Sequence, residues 1–142
     1  MDDFLNTLER PTTVAPVPSK AGQGTHLLCE WYGCDFSAPS LNQASTLRLL
    51  CMNAAIASGL NIVGDVFHQF EPQGVTGTVL LAESHLAIHT WPEEGFVTVD
   101  VYVCNYMKDN THKALKLYAS LKGHFKPSEE SFLQAPRGLK ND

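Results

Sequence analysis

Valines alternate with more polar residues along positions 96–103, and this pattern constrains the fold more than any other feature of the chain. Valine occupies positions 97, 99, 101 and 103, and Thr98, Asp100 and Tyr102 stand between them. Successive side chains of a β-strand point to opposite faces, so this segment has one apolar and one more polar face. It therefore predicts a strand that turns one face toward a core.

Seven further segments complete a predicted order β-α-β-β-β-β-α-β: strands over 26–32, 61–70, 77–82, 85–90 and 131–135, and helices over 41–58 and 110–122. Apolar residues recur every three or four positions in both helices, and Gly59 and Gly123 are expected to end them. The order predicts an α+β fold, a two-layer sandwich of an antiparallel-rich sheet with helices on one face. The uncovered face favours a dimer through sheet faces or edges.

The first part of the chain differs from the rest in composition. Proline, threonine and small residues dominate positions 10–19, which is typical of a mobile segment. A total of 142 residues suits one domain with its own core. We therefore expect a flexible N-terminal arm over residues 1–23 and one folded domain over residues 24–142.

Charge and apolar runs exclude several classes of partner. The formal net charge is −5 and no cluster of lysine or arginine is present, so nucleic acid is not expected. The apolar runs are far shorter than the ~20 residues that span a bilayer, so no membrane is expected. The four cysteines form no CxxC pair, and the opening Met1-Asp2-Asp3 is unlike a secretory leader. Reduced thiols and a cytoplasmic location are the expectation.

Residues 81–93, LAESHLAIHTWPE, gather one serine, two histidines and two glutamates among apolar strand residues. On a strand, His85 and His89 would share a face but lie about 13 Å apart, so no metal site is predicted. A hydrolase site is possible in principle, although the Gly-x-Ser-x-Gly elbow is missing. Two structural sheet histidines are a third interpretation, and the residues alone leave these alternatives open.

Several uncommon blocks occur in a fixed order: GTHL at 24–27, YGCD at 32–35, FHQF at 67–70, PQGVTG at 72–77, ESHL at 83–86, IHTWPE at 88–93, and DVY at 100–102 before Cys104. Together they cover nearly all of residues 24–121. In this order they resemble the small bacterial and archaeal type of S-adenosylmethionine decarboxylase. A series of ordered blocks is a far more specific signal than one short motif.

The resemblance implies a proenzyme that cleaves itself between Glu83 and Ser84. The Ser84 hydroxyl would attack the Glu83 carbonyl, and elimination and loss of ammonia would leave a pyruvoyl group. Serine is needed because its oxygen must first attack and then leave. The pyruvoyl group would be the only cofactor, forming a Schiff base and accepting electrons as pyridoxal phosphate does elsewhere. By the same resemblance, His89 transfers protons during processing and Cys104 is the proton donor in decarboxylation.

The implied substrate is S-adenosylmethionine, whose decarboxylated product donates an aminopropyl group in spermidine biosynthesis. Phe70 matches an aromatic that stacks on adenine near the sulfonium charge. Glu93 matches a carboxylate that accepts hydrogen bonds from ribose. Thr76 stands where the family usually has serine and keeps the hydroxyl. The implied assembly is a homodimer of processed αβ protomers.

Two rival functions remain. Related folds act as pyruvoyl-dependent arginine or ornithine decarboxylases, and some relatives serve as unprocessed, non-catalytic partners. Phe70 and Glu93 favour the nucleoside substrate, and the presence of Ser84 argues against the non-catalytic role. The chain departs from the family pattern at Asn105-Tyr106-Met107, where glycine is common, and in its longer N-terminal arm.

Overall fold

The computed structural model describes residues 23–106 and 108–139. The predicted arm lies outside the described residues except for Gln23. The side chain of Gln23 is buried, and its backbone carbonyl accepts a hydrogen bond from the Asn105 N–H at 2.8 Å. The first strand begins at the next residue, Gly24.

The strands are β1 Gly24–Tyr32, β2 Ile62–Gln69, β3 Val75–Leu81, β4 Ser84–Trp91, β5 Phe96–Cys104 and β6 Glu129–Arg137. They form one sheet in the spatial order β2-β3-β4-β5-β1-β6, and every neighbouring pair is antiparallel. Each predicted strand is present, with ends within two residues of the expected ones. Each of the strands β2 to β5 forms a hairpin with the next, so the strands between Phe70 and Cys104 lie side by side in the order of the sequence.

Two helices, α1 Ala44–Ala57 and α2 Thr111–Phe125, connect the strands. The predicted start of α1 at Leu41 is wrong, because Leu41 belongs to a separate 3₁₀ turn and Gln43 is extended. The Ala44 N–H at the beginning of the helix is satisfied by the side-chain oxygen of Gln69 at 2.7 Å. The predicted stop at Gly59 is confirmed, since Gly59 follows the helix with a φ of +90°.

The predicted end of α2 at Gly123 is wrong. The helix continues to Phe125, and Lys126 adopts the left-handed conformation instead, with a φ of 49°. Packing explains the extension, because the Phe125 side chain is fully buried and contacts the rings of Trp31 and Phe36. Burial of a large aromatic outweighs the helix penalty of one glycine.

The core lies between one face of the sheet and both helices. The four valines of β5 are completely buried, as the alternation predicts. Helix residues of the same core cluster are Leu47, Cys51, Ala54, Ala55, Ala114, Leu117, Leu121 and Phe125. The predicted two-layer α+β sandwich with helices on one face is confirmed. Within the described residues, no helix has the length and apolar character needed to cross a membrane.

The opposite face of the sheet is not covered by any helix of the described chain. Val66 and Leu80 on this face are 71% and 49% exposed. The strand registers place on this face, among others, His26, Tyr102, His85, Thr98, His89, Thr76 and Cys104. Polar and titratable side chains are therefore concentrated on the layer that faces away from the core.

Candidate functional site

A two-residue hairpin turn, Ala82-Glu83, joins β3 to β4 and brings the predicted cleavage site to the end of the sheet. Leu81 and Ser84 are directly opposed at the base of this turn. The turn is tight, and the φ of Ser84 is 158°. The Glu83–Ser84 peptide thus lies at the hairpin, away from the helices' core contacts.

Main-chain hydrogen bonds hold this peptide from two sides. The Glu83 carbonyl oxygen accepts a hydrogen bond from the Cys104 N–H at 2.7 Å, and the Ala82 N–H donates to the Asn61 carbonyl at 2.7 Å. A carbonyl that accepts a hydrogen bond is polarised toward attack at its carbon. A donor at this position could stabilise negative charge on the Glu83 carbonyl oxygen.

The Glu83 carboxylate is bound by a single residue. The backbone N–H of Asn61 donates to Oε1 at 3.1 Å, and its side-chain amide donates to Oε2 at 2.7 Å. Partial burial raises the pKa of this carboxyl, but the hydrogen bonds from Asn61 and the charge of Lys113 outweigh burial and hold the pKa below its usual range. Glu83 is accordingly ionised at neutral pH.

Cys104 ends β5 beside the hairpin and lines a depression of about 220 Å³. Its carbonyl accepts a hydrogen bond from the Asn110 side chain at 2.8 Å. The other residues around the depression are Ala82, Glu83, Tyr106, Lys108 and Asn110. The sequence analysis did not identify Tyr106, Lys108 and Asn110 as site residues, because it noted Tyr106 only as a departure from the family pattern and Asn110 only as the start of a helix.

Phe70, Thr76, His89 and Glu93 line a second depression, of about 260 Å³. The structure therefore brings together all three predicted substrate-binding residues and the predicted proton-transfer histidine. Thr76 Oγ1 and His89 Nδ1 are 3.1 Å apart, within hydrogen-bonding distance. Four further residues complete the lining: Gln73, Gly74, Thr90 and Trp91.

The loop between β2 and β3 shapes this depression through a glycine. Gly74 has a φ of +104°, and a Cβ at this position would lie 3.2 Å from the Thr90 carbonyl oxygen. Thr90 Oγ1 also accepts a hydrogen bond from the Val75 N–H at 2.9 Å. Only glycine combines this backbone angle with so close an approach to β4.

The two depressions lie at opposite ends of β4. His89 follows Ser84 by five positions on a strand, a separation of about 17 Å along its axis. An odd spacing also directs the two side chains to opposite faces of the sheet. The structure therefore does not bring His89 to Ser84 within one chain. The carboxylates, thiols and imidazoles of the described residues include no group of three that could hold a metal ion.

Fold and site together define the chain as a two-layer α+β domain whose antiparallel sheet carries polar and titratable side chains on and around its open face. The family model described as S-adenosylmethionine decarboxylase matches residues 25–138. The chain belongs to the S-adenosylmethionine decarboxylase family.

Individual relatives agree with this assignment. The S-adenosylmethionine decarboxylase proenzyme of Pelotomaculum thermopropionicum is 49% identical over 81 residues, which are 57% of this chain and 63% of the relative. The proenzyme of Geobacillus kaustophilus is 44% identical over 84 residues, 59% of this chain and 66% of the relative. The matches thus span just under two thirds of the length of these relatives. The crystal structure of the adenosylmethionine decarboxylase from Aquifex aeolicus has a TM-score of 0.73 and 32% identity, and the alignment covers 87% of this chain and 97% of that one.

Proposed function

We propose that this chain cleaves itself between Glu83 and Ser84 and then decarboxylates S-adenosylmethionine. The hydrogen bond from the Cys104 N–H to the Glu83 carbonyl carries the proposal, because it activates the one peptide bond that self-cleavage must break. Membership of the family and the residues of the second depression support the choice of substrate.

Self-cleavage uses only atoms of the chain and one water molecule. The Ser84 oxygen bonds to the Glu83 carbonyl carbon, its proton passes to a base, and the C–N bond breaks to give an ester. Loss of the Ser84 α-proton then expels the new main-chain carboxylate of Glu83, and residue 84 becomes dehydroalanine. The dehydroalanine tautomerises to an imine. Water then adds to the imine carbon, and ammonia leaves. The products end at Glu83 and begin with a pyruvoyl group.

The Cys104 N–H acts at the first of these steps. Negative charge develops on the Glu83 carbonyl oxygen as the serine attacks, and a preorganised donor 2.7 Å away stabilises that charge. Loss of one such donor in other enzymes slows the reaction by roughly 10²–10³-fold. The N–H belongs to the β5 backbone, so its position is set by strand pairing and costs no reorganisation.

The residues around Ser84 fit a pyruvoyl group formed in place. The new group would lie at the start of β4, beside the depression lined by Cys104. It supplies an electron sink for the carbanion left when carbon dioxide departs. We infer that the Cys104 thiol, half-buried beside this depression, returns a proton to the substrate α-carbon. No external cofactor enters this scheme.

The second depression supplies the chemistry that a nucleoside sulfonium needs. The ring of Phe70 is 47% exposed and can stack on a base while it attracts the sulfonium charge. The Glu93 carboxylate can accept hydrogen bonds from the two ribose hydroxyls. Thr76 fixes the His89 ring through Nδ1, which leaves Nε2 for proton transfer.

The separation of the two depressions supports a homodimer of processed αβ protomers. The open sheet faces of two copies can stack about a two-fold axis that lies between the sheets and runs across the strands near the middle of β4. The β4 strands of the two copies then run in opposite directions. The hairpin that contains the Glu83–Ser84 peptide of one copy then lies next to the His89 end of the other, and the Ser84 side chain, which the strand register directs toward the helices, has to rotate toward the interface for the two residues to meet. An isologous arrangement of this kind completes two equivalent sites and covers apolar side chains such as Val66.

Carbon dioxide release tests the substrate assignment. Purified processed protein should decarboxylate S-adenosylmethionine, and Ser84→Ala should not. Arginine and ornithine are the comparison substrates, because a protein that turned over either one faster than S-adenosylmethionine would contradict the assignment and support the rival decarboxylase.

A further inference from the structure

Asn61 lies at the junction of α1 and β2, and the fold fixes its position closely. After the helix ends, the Leu60 N–H donates to the Ala55 carbonyl at 3.0 Å, and the Leu60 side chain is buried. Asn61 follows at once and precedes the first strand residue, Ile62. Its backbone is therefore held on one side by a packed helix end and on the other by the sheet.

Three hydrogen bonds link Asn61 to the hairpin that contains the cleavage site. Its backbone N–H and side-chain amide bind the two oxygens of the Glu83 carboxylate, at 3.1 and 2.7 Å. Its carbonyl accepts from the Ala82 N–H at 2.7 Å. Ala82 and Glu83, the two residues before the cleaved bond, are thus both hydrogen-bonded to Asn61, which lies more than twenty positions earlier in the sequence.

We propose that Asn61 is a positioning residue for self-cleavage, which holds Glu83 so that its carbonyl meets both the Cys104 N–H and the Ser84 hydroxyl. This inference rests on the proposed function, because it concerns the same bond. Two donors on one carboxylate fix the direction of the side chain, and the Ala82 bond fixes the backbone before it. A carbonyl held on both sides needs less reorganisation to reach the attack geometry.

Asn61 is exposed, which separates this role from a structural one. Exposed hydrogen bonds contribute little to the free energy of unfolding, so their loss should leave the fold intact. The lowered pKa of Glu83 supports the arrangement, since after burial its largest causes are the bonds from Asn61. A stable fold with slow cleavage is the signature of a positioning residue.

The test measures the first-order rate of self-cleavage by intact mass. We expect Asn61→Ala to slow cleavage about tenfold, which corresponds to about 1.4 kcal/mol of activation free energy. Asn61→Asp should be slower, because a second carboxylate would face Glu83. The matched control is Asn42→Ala, which removes a side-chain amide that donates to the main-chain carbonyls of Phe36 and Ala38, outside the site. It should cleave at the wild-type rate.

A double variant provides the rescue. Asn61→Asp combined with Glu83→Gln exchanges the carboxylate and the amide, so the side-chain hydrogen bond can form again and cleavage should be faster than with Asn61→Asp alone. The turnover of protein that has already been cleaved should equal that of the wild type in Asn61→Ala. Two results would overturn the inference and leave the proposed function standing, provided that the wild type cleaves itself. One is a cleavage rate of Asn61→Ala equal to that of the wild type, and the other is a double variant that cleaves no faster than Asn61→Asp. An uncut wild type would overturn both.

Discussion

Thr76 and His89 face each other across β3 and β4, with the threonine hydroxyl 3.1 Å from Nδ1 of the imidazole. A hydrogen bond at Nδ1 restricts the orientation of the ring, and we propose that it leaves Nε2 as the nitrogen that exchanges a proton. Serine and threonine both offer this hydroxyl, so we expect the hydroxyl rather than the methyl group to be the feature that matters.

Replacing the hydroxyl tests this pair. Thr76→Val keeps the size and β-branching of the side chain but removes the hydrogen bond, and we expect self-cleavage to slow by about tenfold or more. Thr76→Ser keeps the hydroxyl and should remain within about threefold of the wild type. Cleavage rates followed by intact mass measure both effects. Equal rates for the valine and serine variants would show that His89 is oriented by other contacts.

Complementation tests whether Ser84 and His89 act from different protomers. Ser84→Ala and His89→Ala chains should each stay uncut when expressed alone. When both are expressed together with different tags, a mixed dimer contains one site with wild-type Ser84 and wild-type His89. Cleavage should then occur only in the His89→Ala chain. Mixed dimers in which neither chain is cut would contradict the shared site.

Glu130 links three elements and should make stability depend on pH. Its carboxylate accepts hydrogen bonds from Trp31 Nε1 at 3.0 Å, Tyr118 at 2.7 Å and Lys122 at 2.7 Å. Burial raises the pKa of this carboxyl, but these bonds and the charge of Lys122 outweigh it, and the pKa lies below its usual range.

A lowered pKa in the folded state means that the ionised form is favoured by folding. The stabilisation is complete above the ordinary pKa of glutamate, about 4.3, and is lost as the pH falls through the lower folded value. Glu130→Gln should therefore lower the free energy of unfolding by about 1–2 kcal/mol at pH 7. Urea titrations should show the difference shrinking below about pH 4. A difference independent of pH would refute this account of Glu130.

Gly123 offers a test of where α2 ends. It lies inside the helix, and no atom approaches a Cβ built at this position within 4 Å. Gly123→Ala should therefore raise the free energy of unfolding by about 0.5–1 kcal/mol, because alanine favours the helix without a clash. If the helix stopped at Gly123 in a left-handed conformation, the same change would destabilise the protein. Urea denaturation distinguishes the two signs.

Local patterns predicted the elements of this fold, and distant contacts decided the details. The valines of β5 could be assigned to a strand face because alternation is a property of neighbouring residues. The end of α2 could not be predicted in this way, since it depends on the packing of Phe125 against Trp31, which is far away in the sequence. Asn61 was missed for the same reason, because its partners Ala82 and Glu83 come together with it only through the sheet.

The candidate site shows the same division. Family resemblance supplied Ser84, His89 and Cys104, and the structure groups the predicted substrate-binding residues around His89. The strand spacing already places Ser84 about 17 Å from His89. The sequence could not predict how a second copy would bring the Ser84 and His89 ends of β4 together, because the symmetry of an assembly leaves no periodic signal in one chain.

The intact mass of the purified wild-type chain, compared with Ser84→Ala, tests self-cleavage most directly. We expect two wild-type fragments that meet between Glu83 and Ser84, the second lighter by one ammonia than plain hydrolysis would give, whereas the variant stays whole. A single uncut mass for the wild type under mild conditions would contradict the proposed activity and favour the non-catalytic role.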